Sequence, residues 1–323
     1  MKKILITGGI GFLGTNLSLR LLGEGHQVIA MDNFYTGTQG NLEILKQQSN
    51  FGFIEHDVVK EFPQIDGIDE IYHLACPASP PHYQKDPVYT FKINIDGAIN
   101  ALDFATKHSA KILLASTSEI YGDPEVHPQS ESYRGAVNTL GIRACYDEGK
   151  RGAETLFMDY HRTKNTRIKI MRIFNTYGPY MDPKDGRVVS NLICQALCGD
   201  EMTIYGDGSQ TRSFCYVDDL IDGMIRLMHS EDAFLGPVNI GNPGEFTVLE
   251  LANLIQKKLQ SPNTIKYFPM PQDDPKQRRP DISLAKEKLN WAPKVVLEQG
   301  LEKTIPWFRD CLLTDPKKDV LYG

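Results

Sequence analysis

Glycines at 8, 11 and 14 punctuate Gly8-Gly9-Ile10-Gly11-Phe12-Leu13-Gly14, which follows a short apolar run from Lys2 to Thr7. An amphipathic stretch follows and ends near Gly23-Glu24-Gly25. A strand, a glycine turn and a helix in immediate succession leave few options for the chain. Glycine permits the tight turn and lets backbone N–H groups approach a pyrophosphate at the helix N-terminus. A second apolar run, Gln27 to Met31, ends in Asp32. A carboxylate there can accept both ribose hydroxyls of NAD and would repel the 2′-phosphate of NADP. The pattern predicts dinucleotide binding and favours NAD.

The alternation continues. Phe51 to Glu55, Glu70 to Ala75, Lys111 to Ser116 and Ile168 to Ile173 read as the third to sixth strands, with helical stretches between them. This predicts an α/β, Rossmann-like, doubly wound parallel sheet with helices on both faces and ligands at its carboxyl edge. The expected cofactor wall comprises Gly8, Gly11, Phe12, Leu13 and Gly14, then Asp32, Asn33, Phe34, Thr36 and Gly37. Asp57 and Val58 would flank the adenine, and Leu74, Ala75 and Cys76 follow the fourth strand. Cys76-Pro77-Ala78-Ser79-Pro80-Pro81 is too proline-rich to continue a strand or start a helix early, so a rigid cleft-lining loop is expected. Beyond Gly178 the alternation fades. Residues 1–178 are expected to form the NAD-binding domain, rejoined by parts of 211–245, and 179–323 mainly a smaller substrate-binding lobe.

Bulk properties exclude several classes. A net charge of −6 with no dominant basic stripe argues against nucleic acid. No apolar run approaches the ~20 residues that span a bilayer, and Met1-Lys2-Lys3 leads into a strand and turn, so no membrane association is expected. The cysteines at 76, 145, 194, 198, 215 and 311 lack metal-ligand spacing; no metal is expected, and Cys194 and Cys198, at helical spacing, read as buried thiols. These features fit a reduced, cytoplasmic compartment.

Chemistry concentrates between residues 116 and 150. Ser116-Thr117-Ser118-Glu119 closes the fifth strand, and Tyr146 and Lys150 lie one helical turn apart, sharing a face. A tyrosine phenol has a reference pKa near ~10, which a neighbouring ammonium lowers. Such a pair suits removal of an alcohol proton while a hydride leaves the same carbon, and the glycine turn supplies the place for a hydride acceptor.

With both halves in view, the chain resembles the extended short-chain dehydrogenase/reductase family and, within it, the UDP-glucuronate decarboxylases (UDP-xylose synthases). The segments that carry the resemblance are Leu114 to Gln129, Ala144 to Arg151, Asp185 to Asn191, Gly208 to Arg212 and Gln272 to Pro275. The resemblance implies NAD-dependent oxidation at C4 of the glucuronate, loss of CO₂ from the β-keto acid, and hydride return to give UDP-xylose. It implies catalytic roles for Thr117, Ser118, Glu119, Tyr146, Lys150 and Arg278, with Glu119 near the substrate carboxylate, where repulsion would favour CO₂ loss. Arg187 would lie near the cofactor. Lys92, Asn175, Asn191, Tyr205, Gln210, Arg212 and Arg278 would meet the UDP-sugar, arginine forks suiting diphosphate. His73, His82 and His127 read as structural.

Rival expectations share the first step: a 4-epimerase, release of the 4-keto pentose, or a 4,6-dehydratase, the last disfavoured by Ser118-Glu119 where dehydratases place Asp-Glu. A non-catalytic NAD-binding regulator is the reading from another class, and intact Tyr146 and Lys150 argue against it. The chain departs from the family pattern at Arg134, Thr139 and Ile142, where tryptophan and two prolines are usual, which predicts a looser loop before Tyr146. By analogy, helices starting near Asn94 and Cys145 would pair two subunits into a homodimer.

Overall fold

The computed structural model describes residues 1–270 and 277–314. Its centre is a seven-stranded sheet. Strands β1 (Lys3–Thr7), β2 (Gln27–Asp32), β3 (Phe51–Glu55), β4 (Glu70–His73), β5 (Lys111–Thr117) and β6 (Ile168–Ile173) are joined by a seventh, Val238–Ile240. The spatial order is the seventh strand, then β6, β5, β4, β1, β2 and β3, every pair parallel. The order reverses between β1 and β4, and the crevice at that switch is where such sheets bind ligands. Of segment 211–245, the strand Val238–Ile240 pairs with β6 and the helix Val217–Met228 packs against the same sheet.

Strand side chains alternate between two cores. Ile4, Ile6, Val28, Tyr72, Leu113 and Met171 pack on one face. Leu5, Ile29, Met31, Ile71, Ile112, Leu114 and Ile170 pack on the other. Both faces are covered, as near-continuous apolar strands require. Leu5 is fully buried, so Leu5→Ala would cost ~2–5 kcal/mol.

Three local expectations change. Pro80–Tyr83 forms one helical turn with proline in its first positions, because a helix start needs no proline N–H there. The next helix starts at Pro87, not near Asn94: Asp86 caps it by accepting from the Tyr89 N–H, with proline again at the start. Cys194 is buried, whereas Cys198 is exposed, since it sits in the last turn of Val188–Cys198.

Behind the site a buried polar network sets the helix Ala144–Lys164 on the sheet. Ser116 Oγ donates to Glu154 Oε1 at 2.6 Å, and Arg172 of β6 grips the same carboxylate at 3.0 and 2.8 Å. A planar guanidinium matches both carboxylate oxygens, which fixes the helix's rotation as well as its position. Tyr146 and Lys150 are thereby turned toward the end of β5.

The smaller lobe carries a three-stranded sheet in the order Glu245–Thr247, Thr211–Ser213, Gln277–Arg278. Arg278 pairs in register with Arg212, so two arginines distant in sequence become neighbours. Among the described residues no helix is long and apolar enough to cross a membrane.

Candidate active site

A cavity of about 720 Å³ runs along the carboxyl edge of the sheet and under the smaller lobe. At one end the glycine turn leaves β1 with Gly8 at φ +69°; a Cβ there would meet Ala75 Cα at 2.9 Å. Only glycine provides that bare backbone. Gly8, Gly11, Phe12, Leu13 and Gly14 all line the cavity, as do Asp32, Asn33, Thr36, Asp57, Val58, Leu74, Ala75, Cys76 and Arg187.

Phe34 and Gly37 do not line it. Phe34 turns its ring onto Phe53 at 5.5 Å and donates its N–H to Asp32 Oδ1 at 2.9 Å. Gly37 packs so tightly on Asp32 that a Cβ would lie 2.8 Å from Oδ1. Both act on the carboxylate rather than on the cavity. Burial raises the Asp32 carboxyl, and N–H donors from Phe34, Ile10 and Asn33 offset it. The bare glycine cradle, the acidic residue ending β2 and the buried, unpartnered hydroxyl of cavity-lining Tyr35 fit a dinucleotide.

Further in, Thr117, Ser118, Glu119, Tyr146 and Lys150 line one wall together. Lys150 Nζ donates to Ala115 O at 2.9 Å and sits 5.9 Å from the Tyr146 ring centre. Burial lowers the Lys150 ammonium and raises the Tyr146 phenol well above its ordinary value, with the Cys76 thiol adding to the rise. Burial of the pair thus opposes formation of the phenolate.

Glu119 does not stand alone on this wall. It is ion-paired to Arg278, which arrives from the smaller lobe, and to Arg143 at 2.8 Å. Burial raises the Glu119 carboxyl, but the Arg278 and Arg143 guanidiniums overcome this and hold it well below the usual carboxylate range. One carboxylate between two guanidiniums leaves these three side chains with net positive charge.

Asn175, Asn191, Tyr205, Gln210, Arg212 and Arg278 line the remaining wall, on the smaller-lobe side. Lys92 does not. It is exposed on Pro87–His108, on the flank beside Tyr89 and Ile93, which do line the cavity. Of the three departures from the family pattern only Ile142 touches the cavity; Arg134 and Thr139 are exposed. The start of the loop is held in place: Ala136 N–H donates to Tyr121 O at 3.0 Å, and Arg151 Nη1 donates to Arg134 O at 2.7 Å. Gln272 to Pro275 lies outside the described residues.

Sequence reading missed two contributors. Arg143 stands three residues before Tyr146, and only the fold shows what it grips. Tyr83 stacks on Tyr146, a contact across 63 residues that no local spacing announces. His73, beside Thr7 Oγ1 at 2.9 Å, is kept neutral by burial and the nearby Lys150 charge, which push it down to about 3, whereas His82, beside Ser79 Oγ at 2.7 Å, lines the cavity.

A profile of the NAD dependent epimerase/dehydratase family matches residues 4–241. The chain belongs to that family. Among its members, UDP-glucuronic acid decarboxylase 4 of Arabidopsis thaliana is 52% identical over 317 residues, 98% of this chain and 71% of that protein. UDP-glucuronic acid decarboxylase 1 of Danio rerio is 52% identical over 307 residues, 95% and 72% of the two chains. Of the solved structures, UDP-glucose 4-epimerase of Thermotoga maritima with UDP-glucose superposes with a TM-score of 0.88 at 30% identity, covering 96% of this chain and 99% of that one. UDP-glucuronic acid 4-epimerase of Bacillus cereus, in complex with UDP-glucuronic acid and NAD, does so at 0.86 and 30%, with the same coverage. The family's shared fold and the glycine cradle thus coincide in this chain.

Proposed function

We propose that this chain is an NAD-dependent UDP-glucuronate decarboxylase that forms UDP-xylose through a 4-keto intermediate. Its likeness to curated decarboxylases over nearly its whole length supports this reading. The observation that carries it is Glu119, held between Arg278 and Arg143 on the wall beside Tyr146. Bound NAD⁺ would supply the hydride acceptor at C4 and return the hydride afterwards, held by the Gly8 turn and Asp32.

The chain's own residues do the rest. Tyr146 accepts the 4-hydroxyl proton, with Lys150 as the cationic neighbour that stabilises the phenolate. The ketone at C4 lies β to the C6 carboxylate. When the C5–C6 bond breaks, CO₂ leaves and the electron pair passes to the C4 oxygen as an enolate. Thr117 and Ser118 hydrogen-bond that developing charge until a proton adds at C5 and restores the C4 ketone, which then takes the hydride back. Arg278 and Arg143 orient the carboxylate without burying an unpaired anion, because Glu119 shares their charge. Arg212, Asn175, Asn191, Tyr205 and Gln210 would take the UDP half. The epimerase reading shares the fold and the first step, and a glucuronate epimerase also meets the carboxylate, so CO₂ release is what separates the two.

Val88, Phe91 and Ile95 share a face of Pro87–His108, and Val88 and Phe91 stay exposed, which supports a homodimer through this helix and its neighbour Ala144–Lys164. Thiols at Cys76, Cys145, Cys194 and Cys215 support action in the reducing cytoplasm.

The test is incubation of the purified protein with UDP-glucuronate and NAD⁺, following CO₂ and the nucleotide sugar by NMR. CO₂ with UDP-xylose and no net NADH is expected. CO₂ with accumulating NADH would mean that the 4-keto pentose is released. UDP-galacturonate without CO₂ would make the enzyme an epimerase.

A further inference from the structure

Arg278 lies on a two-residue strand, Gln277–Arg278, at the edge of a small sheet. Its guanidinium nevertheless has to meet Glu119 on the far wall of the cavity, across the junction between lobes. A short edge strand does not by itself fix a long side chain so accurately. The support lies on the other side of the arginine, in Gln129.

Gln129 is fully buried and bonds the chain just after Arg278 with both its backbone and its side chain. Its N–H donates to Arg279 O at 2.9 Å, and its carbonyl accepts from Asp281 N–H at 2.8 Å. The side-chain Oε1 accepts from Arg279 N–H at 2.9 Å, while Nε2 donates to Val126 O at 2.7 Å. Gln129 therefore pairs with Pro280 as a strand would, and adds its amide as a further rung. Asn239, fully buried in the seventh strand, backs the clamp: its Nδ2 reaches Gln129 O at 3.0 Å and Asp281 O at 3.2 Å. Tyr121 OH, bonded to Asn239 Oδ1 at 2.8 Å, fixes which way that amide faces.

We infer that Gln129, backed by Asn239, is the positioning residue that holds Arg278 against Glu119. An amide suits the place because it presents one acceptor to the Arg279 N–H and one donor to the Val126 carbonyl. Methionine fills the same space and offers neither. Gln129 lies outside the cavity lining, so it acts through the arginine. The inference rests on the decarboxylase reading for the reaction it would affect.

A double-mutant cycle tests it. Wild type, Gln129→Met, Arg278→Ala and the double variant are compared by kcat and KM for CO₂ release from UDP-glucuronate with NAD⁺. The same cycle is run on UDP-glucuronate affinity by calorimetry, which reads the coupling even without turnover. Gln129→Met is expected to lower kcat or affinity about tenfold in the wild type and less than about twofold once Arg278 is gone, as coupled residues do. Equal factors in both backgrounds, in turnover and in affinity, would overturn the inference. Wild type that binds UDP-glucuronate but releases no CO₂ counts against the decarboxylase reading alone, and the affinity cycle still decides the role of Gln129. If Gln129→Met does not fold, Asn239→Ser, which shortens the support behind the clamp, takes its place in the cycle with the same two outcomes.

Discussion

Tyr83 lies flat on Tyr146, with ring centres 5.1 Å apart and planes within 7°. Tyr83 is buried, and its carbonyl accepts from Thr90 Oγ1 at 2.9 Å, so the stack is anchored to the start of Pro87–His108. The proline loop and the catalytic helix are thus joined at the residue proposed to move the proton. Such a ring pair is worth ~0.5–1.5 kcal/mol beyond its buried area.

Tyr83→Ala should therefore lower kcat by roughly 3- to 10-fold through a loosened Tyr146. Tyr83→Phe keeps the stack and should restore kcat. Steady-state CO₂ release distinguishes them, and equal losses would place the effect in the hydroxyl instead.

Arg143→Ala removes one of the two cations on Glu119 at a cost of ~1–3 kcal/mol at neutral pH. The depressed Glu119 carboxyl contributes stability above the ordinary carboxylate range, and this is lost as pH falls toward its lowered folded value. In the variant the carboxyl is less depressed, so less stability is there to lose. Thermal melts from pH 7 down to pH 3 should show the gap between wild type and variant narrowing, whereas a constant gap would contradict the pairing.

Asp147 has the opposite sign. Burial raises its carboxyl, with repulsion from Glu119 adding to the rise, and its Oδ1 is buried without a hydrogen bond. The folded protein holds that proton where the unfolded chain has released it, so stability falls as pH rises above the ordinary aspartate range. Asp147→Asn should abolish this slope. Melting temperatures compared across acidic to mildly alkaline pH should favour the variant increasingly as pH rises.

Gly8→Ala forces a side chain into a left-handed backbone position that costs ~1–3 kcal/mol and drives a Cβ against Ala75. NAD affinity, read by fluorescence titration, should fall at least about tenfold. Unchanged affinity would remove the glycine turn from the cofactor site.

The strands, the glycine turn, Asp32 and the Tyr146–Lys150 pair were legible in the sequence because each rests on local rules. Strand alternation, one helical turn of separation and the φ freedom of Gly8 need no knowledge of distant chain. Lys92 shows the limit of such reading: a lysine on a helix carries no local sign of whether it reaches a cavity, and here its neighbours Tyr89 and Ile93 line the cavity while Lys92 stays exposed. The charge state of Glu119 was equally hidden. Its two partners lie 24 and 159 residues away, and only the packing of the smaller lobe on the sheet brings Arg278 to it. The fold class and the nucleotide site followed from short-range periodicity and backbone sterics. The cationic pocket around Glu119, the Tyr83 stack and the Gln129 clamp were decided by tertiary structure, because electrostatics and hydrogen bonding depend on distance in space and not on separation along the chain.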